Sequence, residues 1–409
     1  MKLFNYQQHA VDKAVNVYEN GDKSFNLFFE MGLGKTITAI EIVKRIKHDT
    51  ILIVCPKSLI EMWAYEMSKH FPEAVRVSSP DGIYFAYKCT YYITNYENIR
   101  TYKQTLTPDV CIFDEVHKLK NAKSFTHKCI QSIIHPRFTL KLTGTPITRD
   151  YMDLYGILTC VNTDTFMNMT ATQFHAKYVK IGGTTAVKKL MASIEPFTVF
   201  AKLEDHIDMP GYEDIVIPVT LPSVAYVKLD SIYHSDMNTL AKIIEAQKVT
   251  SSVYGPKSLT LTRLVSDIIE DGRKVVIFTK YDEEFDFFML QYKDIAVGIN
   301  GKTKDREIPV YRFQSDDSIK VFIGNLQTAS MGLTLTVAQD CIFYSETYTW
   351  GDADQSKARI YRIGQKHPCR YYHLLALDTI DEMIYRNLIA KTDLIEDFKL
   401  KYECKSIDK

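Results

Sequence analysis

The stretch EMGLGKTITAIEIV combines residue types that bind phosphate. The apolar run FNLFF before it predicts a strand, and the apolar residues after it recur at helical spacing. Gly32 and Gly34, with Leu33 between them, would let backbone N–H groups surround phosphate oxygens at the start of a helix. Lys35 would reach the β- and γ-phosphates, and the hydroxyl of Thr36 would ligate Mg²⁺. The sequence therefore predicts a site for ATP and Mg²⁺.

Two further loops follow predicted strands and carry polar groups. In VCIFDEVHKLKN, Asp114 and Glu115 come directly after an apolar run, and in KLTGTP the turn from Thr143 to Thr145 follows a strand that ends at Leu142. Because ligands of open parallel sheets bind beyond the carboxyl ends of the strands, we expect these groups beside the phosphate loop. Asp114 would hold Mg²⁺, directly or through water, and Glu115 would orient and deprotonate the attacking water.

Two arginines near the other end of the chain could supply positive charge to a reacting phosphate. Arg359 and Arg362 in QSKARIYRIGQ are three residues apart, and we expect them on one face of a helix that Gly364 ends. An arginine commonly stabilises the charge that develops during phosphoryl transfer. Closure of two lobes around ATP would bring the arginines to the γ-phosphate, and hydrolysis would reopen the cleft.

The composition is that of an ordinary globular protein, with 409 residues of which 46% are hydrophobic and 24% charged. Lys plus Arg number 50 and Asp plus Glu number 50, so any nucleic acid must bind in a local groove rather than to a basic surface. The eight cysteines form no CxxC pair, which predicts free thiols. The absence of a signal peptide and of a membrane-spanning run predicts a soluble, intracellular protein.

Strand and helix patterns alternate at both ends of the chain, which predicts an α/β fold with parallel sheets covered on both faces. The strand-like runs are FNLFFE, ILIVC, YYIT, VCIFDE and FTLKLT in the first part, and KVVIFT, IAVGIN, IKVFIG, CIFYS and RYYHLLAL in the last. The alternation breaks in between. We predict a first lobe over residues 1–158, a partly helical insertion over 159–256 and a second lobe over 257–409.

The ordered motifs resemble those of superfamily-two helicases, and within that group the chain is most similar to the Swi/Snf-type DNA translocases. The resemblance rests on EMGLGKT, DEVH with KLKN, TGTP and QSKARIYRIGQ, supported by NYQQHAV, CPKSLIEMW, YYITNYENI, KVVIFTKYDEEF and TASMGLTLTVA. It extends from about Leu3 to Ala390. It implies two RecA-like lobes and an ATP- and Mg²⁺-dependent motor that works as a monomer on double-stranded or branched DNA.

The same resemblance gives roles to further residues. Gln7 would read the adenine edge, and Gly332 would contact the nucleotide. The residues that would couple the ATP site to nucleic acid are His117, Thr143, Thr145 and Gln355. The candidates for phosphate contact with nucleic acid are polar residues near strand ends: Lys57, Ser58, Thr94, Asn95, Lys302, Thr328 and Ser330.

The chain departs from the family pattern at several positions. Phe28 and Phe29 stand where the family has a small residue and an aspartate, and Phe29 also replaces a P-loop glycine. Ala329 and Ser330 replace a glycine pair, and Thr334 replaces an asparagine. These departures concern DNA contact and its coupling to ATP rather than the ATP chemistry.

Two other functions stay open from the sequence. One is branch migration or strand separation on DNA or RNA. The other is an ATP-gated nucleic-acid clamp without motor activity, against which stands the joint presence of Lys35, Asp114, Glu115 and both arginines. We expect no membrane association; a motor with these motifs suits a bacterium or virus, or a partner that supplies targeting. The expected location is the cytoplasm of a bacterium or of a virus-infected host, or the nucleus in a eukaryote.

Overall fold

The computed structural model describes residues 3–79, 89–147, 151–162, 169–180, 184–206, 208–303, 305–326, 333–390, 394 and 398. The chain divides into two compact units, Met1–Ile207 and Asp208–Lys409, here called the first unit and the second unit. Each unit is built around its own parallel sheet.

The sheet of the first unit has seven strands within the described residues, all parallel, in the order β3-β4-β2-β5-β6-β1-β7. The strands are β1 (Ser24–Phe29), β2 (Thr50–Cys55), β3 (Val75–Arg76), β4 (Thr90–Asn95), β5 (Val110–Asp114), β6 (Phe138–Leu142) and β7 (Thr198–Ala201). The α-helices are α1 (Asn5–Glu19), α2 (Lys35–Arg45), α3 (Ile60–His70), α4 (Tyr96–Ile99), α5 (Phe125–Ile133), α6 (Met152–Thr159), α7 (Ala171–Phe174), α8 (Thr184–Ile194) and α9 (Leu203–His206). Short 3-10 helices span Lys57–Leu59, Val116–Leu119 and Glu195–Phe197, and a π-helix spans His175–Lys180.

The sheet of the second unit has six parallel strands among the residues described, in the order β10-β11-β9-β12-β13-β8. The strands are β8 (Tyr212–Val219), β9 (Val275–Thr279), β10 (Ala296–Ile299), β11 (Val321–Asn325), β12 (Asp340–Phe343) and β13 (Cys369–Ala376). The helices are α10 (Ser223–Tyr233), α11 (Thr239–Thr250), α12 (Pro256–Glu270), α13 (Asp282–Gln291), α14 (Glu307–Ser315), α15 (Trp350–Lys357) and α16 (Ile380–Ala390).

Central strands are buried on both faces, which explains their continuous apolar sequences. In β9, Val276 and Phe278 pack into one core cluster, whereas Val275 and Ile277 pack into another on the opposite face. Every residue of β1 and β5 is likewise buried. The prediction of two parallel-sheet α/β lobes is confirmed.

The division of the chain differs from the three parts predicted from the sequence. Strand β7 pairs with β1 in the first sheet, and β8 pairs with β13 in the second. Helix α8 contributes to the core of the first unit, while α10 and α11 pack with α16 in the second. Residues 159–256, predicted as an insertion, are therefore shared between the two units.

Two further observations concern the cysteines and membrane-spanning helices. The cysteines within the described residues are free; Cys404 lies outside them. A search of the same residues finds no helix with the length and apolar character needed to cross a membrane.

Candidate nucleotide site and arginine turn

The phosphate loop joins β1 to α2, where the sequence predicted it. Gly32 and Gly34 have φ angles of +83° and +74°, in the left-handed region that favours glycine. A Cβ at Gly34 would lie 2.5 Å from Nε2 of Gln7, so any other residue there would displace that amide as well as strain the backbone. Helix α2 begins at Lys35 with Gly34 as its N-cap. The loop thus presents the N-terminal N–H groups of α2 to an anion.

Helix α1 fastens the phosphate loop through two side chains. Nε2 of Gln7 and the hydroxyl of Tyr6 both donate to the carbonyl of Leu33, at 3.0 and 2.9 Å. Oε1 of Gln7 accepts from the N–H of Phe4 at 3.0 Å. These bonds use one N–H and one lone pair of an amide that has two of each. The adenine role of Gln7 stays a prediction, beside a structural role that the sequence did not indicate.

Lys35 and the TGTP turn meet at the carboxyl ends of β1 and β6. Nζ of Lys35 donates to the carbonyl of Phe29 at 3.1 Å. A Cβ at Gly144 would lie 3.3 Å from that carbonyl oxygen and 3.4 Å from Nζ of Lys35. The turn therefore packs closely on the phosphate loop. Thr36 follows Lys35 in the first turn of α2 and is partly exposed.

Asp114 ends β5 and is 4% exposed. Its Oδ2 accepts from the indole N–H of Trp63 at 2.8 Å, and its Oδ1 accepts from the N–H of Glu115 at 3.0 Å. Burial, and after it the charge of Glu115, raises the pKa of Asp114, whereas Trp63 and Lys35 lower it. Trp63 thus orients the carboxylate of Asp114. From the sequence CPKSLIEMW, only the burial of this tryptophan could be expected.

Glu115, His117 and Thr143 form a continuous polar chain. Nδ1 of His117 lies 3.2 Å from Oε2 of Glu115 and 3.1 Å from the hydroxyl of Thr143, which accepts from the N–H of Thr145 at 3.1 Å. Glu115 itself has a φ of +51°, uncommon for a residue other than glycine. The structure therefore brings together four residues predicted to act in catalysis or coupling. The coupling itself stays a prediction.

Helix α6 fixes the segment that carries His117. A Cβ at Gly156 on α6 would lie 1.9 Å from the carbonyl oxygen of Lys120, which directly follows the short helix Val116–Leu119. Backbone therefore packs on backbone at this point, and a larger residue would displace the segment.

The residues of this site fit a nucleotide with Mg²⁺. The hydroxyl of Thr36 and the carboxylate of Asp114 are the oxygen ligands that Mg²⁺ takes, and Lys35 would hold the phosphates. Because Gly34 and Gly144 lack a Cβ, Gln7 and the TGTP turn can pack closely against the phosphate loop and Lys35. When bound, Mg²⁺ would neutralise part of the phosphate charge.

Arg359 and Arg362 lie beyond α15, in residues 358–365, here called the arginine turn. The prediction that they share a helical face is wrong, because α15 ends at Lys357 and Ala358, with ψ of 4°, leaves the helical conformation. Gly364, with φ of +102°, lies in a later turn that the N–H of residue 365 closes onto the carbonyl of Arg362. A spacing of three residues occurs in successive turns as well as in a helix.

The arginine turn is partly buried and is bonded to residues 333–338, here called the adjoining segment. Arg359 is 7% exposed, and its carbonyl accepts from the N–H of Leu335 at 2.9 Å. Nη1 of Arg362 donates to the carbonyl of Leu333 at 3.1 Å, and burial lowers the pKa of Arg362. Gln355 is buried on α15.

Three candidates for nucleic-acid contact are on the surface. Lys57 and Ser58 are exposed on the short helix after β2. Lys302 is exposed too, and its Nζ lies 3.0 Å from a carboxylate oxygen of Asp282. Their contacts with nucleic acid stay predictions.

The other candidates are buried or outside the described residues. Thr94 and Asn95 are 1% and 4% exposed. The hydroxyl of Thr94 lies 3.1 Å from that of Tyr102, and Oδ1 of Asn95 caps α4 by accepting from the N–H of Asn98 at 2.8 Å. This burial argues against direct phosphate contact by either side chain. The residues outside the description are Thr328, Ser330 and Gly332.

Comparison with known proteins matches residues 6–259 to the SNF2-related domain and residues 257–364 to the helicase conserved C-terminal domain. The chromodomain-helicase-DNA-binding protein 1-like of Danio rerio is 24% identical over 90% of this chain and 41% of its own length. A Caenorhabditis elegans homolog of SWI/SNF-related matrix-associated actin-dependent regulator of chromatin subfamily A-like protein 1 is 26% identical over 98% of this chain and 62% of its own. The chain therefore spans less than two thirds of either relative. The Sulfolobus solfataricus SWI2/SNF2 ATPase core in complex with dsDNA has a TM-score of 0.49 and 19% identity, covering 98% of this chain and 92% of that one.

Proposed function

This chain belongs to the SNF2-related family, and from that membership we propose that it is a DNA-dependent ATPase that moves along double-stranded DNA. The observation that carries the proposal is the assembly around the phosphate loop. Lys35, Asp114 and Glu115 meet at one edge of the first sheet, and the chain through His117 and Thr143 leads away from them. A motor requires a nucleotide site that is connected to the loops that contact nucleic acid.

In the proposed reaction Lys35 binds the β- and γ-phosphates, and the N–H groups of the loop surround them. Thr36 and Asp114 hold Mg²⁺, with Asp114 oriented by the indole of Trp63. Glu115 takes the proton of the attacking water, because its carboxylate is next to Asp114 and is the stronger acceptor while Asp114 is engaged with the metal.

Arg359 and Arg362 of the second unit are proposed to stabilise the charge that develops on the γ-phosphate. The bond of Arg362 to Leu333 supports this role, because a guanidinium held by a backbone carbonyl has little rotamer entropy to lose when it meets a phosphate. Hydrolysis would remove the phosphate that both units bind. Cycles of binding and hydrolysis would then drive movement.

DNA is the proposed partner because the curated relatives are named as a DNA-binding helicase and a regulator of chromatin. Lys57 and Ser58 are exposed and could contact phosphate without reading sequence. The net charge of zero implies that such contacts lie in a local groove rather than over a basic surface. DNA affinity should nevertheless fall with salt, by a logarithmic slope of roughly 0.9 for each phosphate neutralised.

A triplex-displacement assay tests the movement. A third strand bound to a duplex should be released by the parent protein in an ATP-dependent manner, while the duplex strands stay paired. Lys35→Ala, which lacks the phosphate-binding charge, should release no third strand and serves as the control.

Two results would overturn the proposed movement. Separation of forked duplex strands without triplex release would indicate a strand-separating helicase. ATP-dependent DNA binding without release of any strand would indicate a nucleic-acid clamp.

A further inference from the structure

Gln365, the last residue of QSKARIYRIGQ, uses every hydrogen-bonding group of its side chain. It is 7% exposed. Its Nε2 donates to the carbonyls of Ala338, Ile360 and Thr336 at 2.8, 3.2 and 3.3 Å. Its Oε1 accepts from the N–H groups of Lys366 and His367 at 2.9 and 3.0 Å.

These bonds join two pieces of chain that are distant in sequence. Ile360 lies in the arginine turn, between the two arginines, whereas Thr336 and Ala338 belong to the adjoining segment. The backbone N–H of Gln365 also donates to the carbonyl of Arg362 at 3.0 Å, which closes the turn. Gln365 therefore bonds within the arginine turn, through its backbone N–H and through Ile360, and its side-chain amide also bonds to the adjoining segment.

Two more hydrogen bonds join the arginines to the adjoining segment. Arg362 donates through Nη1 to Leu333, and the carbonyl of Arg359 accepts from the N–H of Leu335. If the amide of Gln365 is removed, these two bonds and the packing of the buried Ile360 remain between the turn and the adjoining segment. The guanidinium groups could then shift by an ångström without loss of the fold.

We propose that Gln365 is a positioning residue for ATP hydrolysis, which holds Arg359 and Arg362 where they can meet the γ-phosphate. This inference rests on the proposed function. Gln365 does not touch the nucleotide; it acts through the arginines. A misplacement of about 1 Å in a catalytic group can cost about 100-fold in rate, so a bond network of this kind has a measurable kinetic consequence.

The first test is Gln365→Met in the full chain, which keeps side-chain length and removes every bond of the amide. We expect kcat of the DNA-stimulated ATPase to fall about 100-fold, with KM for ATP and affinity for DNA within about threefold of the parent. The matched control is Gln314→Ala. The amide of Gln314 donates to the Thr334 carbonyl of the same segment at 2.6 Å but is exposed and does not touch the arginine turn. Its kcat should stay within about twofold of the parent.

A double-mutant cycle separates positioning from general destabilisation. In the Arg362→Ala background, Gln365→Met should lower kcat by less than about tenfold, because only Arg359 is left for it to position. Circular dichroism at the assay temperature confirms that each variant is folded. If Gln365→Met does not fold, Gln365→Asn replaces it: its shorter amide cannot reach all the carbonyls, and an intermediate loss of kcat is expected.

Two outcomes overturn the inference. One is a folded Gln365→Met variant with kcat within twofold of the parent. The other is a loss of the same size with and without Arg362, which would mean that Gln365 acts independently of that arginine. Failure of the proposed function looks different, because Arg362→Ala itself would then keep its turnover.

Discussion

Replacing Arg362 with alanine should lower the maximal ATPase rate by roughly three to five powers of ten, the range found for arginine fingers. Affinities for ATP and for DNA should stay within a few-fold of the parent, because the phosphate loop of the first unit keeps its own contacts. The rate is measured at saturating DNA and ATP, with the affinities from separate binding titrations.

The structure gives the reason for so selective an effect. The guanidinium of Arg362 makes one hydrogen bond to a backbone carbonyl, that of Leu333, and burial already lowers its pKa. The substitution Arg362→Ala therefore removes a positive charge but little of the core packing. Arg359→Ala should act in the same direction with a smaller effect if the two arginines partly replace each other.

Two further variants test the Arg362 prediction. Arg362→Lys should recover little, since an ammonium group cannot reproduce the planar fork that meets two oxygens. Arg312→Ala is the matched control, because this arginine of the same unit is half exposed and lies 3.8 Å from Asp316. A change in turnover of less than twofold in Arg362→Ala, or an effect only on DNA binding, would contradict the assignment.

Glu115→Gln should lower the rate of hydrolysis by about two to four powers of ten while ATP still binds. Glutamine cannot take a proton from water, yet it has the same shape and the same cost at a φ of +51°. Loss of the Glu115 charge also removes an influence that raises the pKa of Asp114, so Asp114 stays ionised for the metal. Single-turnover hydrolysis and binding of a fluorescent nucleotide measure the two steps separately.

The control for this prediction is Glu61→Gln. The side chain of Glu61 is 83% exposed and lies 3.3 Å from Arg76, so its replacement should leave hydrolysis unchanged. If Glu115→Gln loses nucleotide binding and keeps its rate per bound complex, Glu115 does not activate the water.

The sequence predicted the strands and the phosphate loop because their signals are local. Buried parallel strands are short continuous apolar runs, and Gly32 and Gly34 stand in a motif whose backbone only glycine adopts easily. The helix predicted for the arginines was wrong for a local reason as well. Spacing alone does not distinguish Arg359 and Arg362 on a helix from the same residues in two successive turns.

What the sequence could not predict depends on distant contacts. Strands β7 and β8 lie in a stretch without alternation, and only their pairing with β1 and β13 assigns them to different units. The hydrogen bonds of Trp63 and Gln365 could not be predicted for the same reason. An indole or an amide shows its partner only after the chain folds, so the bonds to Asp114 and to the arginine turn have no signature in the sequence.

The central claim is that double-stranded DNA drives ATP hydrolysis by this chain. The most direct measurement is the steady-state ATPase rate with duplex DNA, single-stranded DNA, forked DNA and RNA at one stated salt concentration, with Lys35→Ala as the inactive control. We predict strong stimulation by duplex DNA, little by RNA, and no turnover by the control. Stimulation by RNA without stimulation by duplex DNA, or normal turnover by a folded Lys35→Ala protein, would contradict the account.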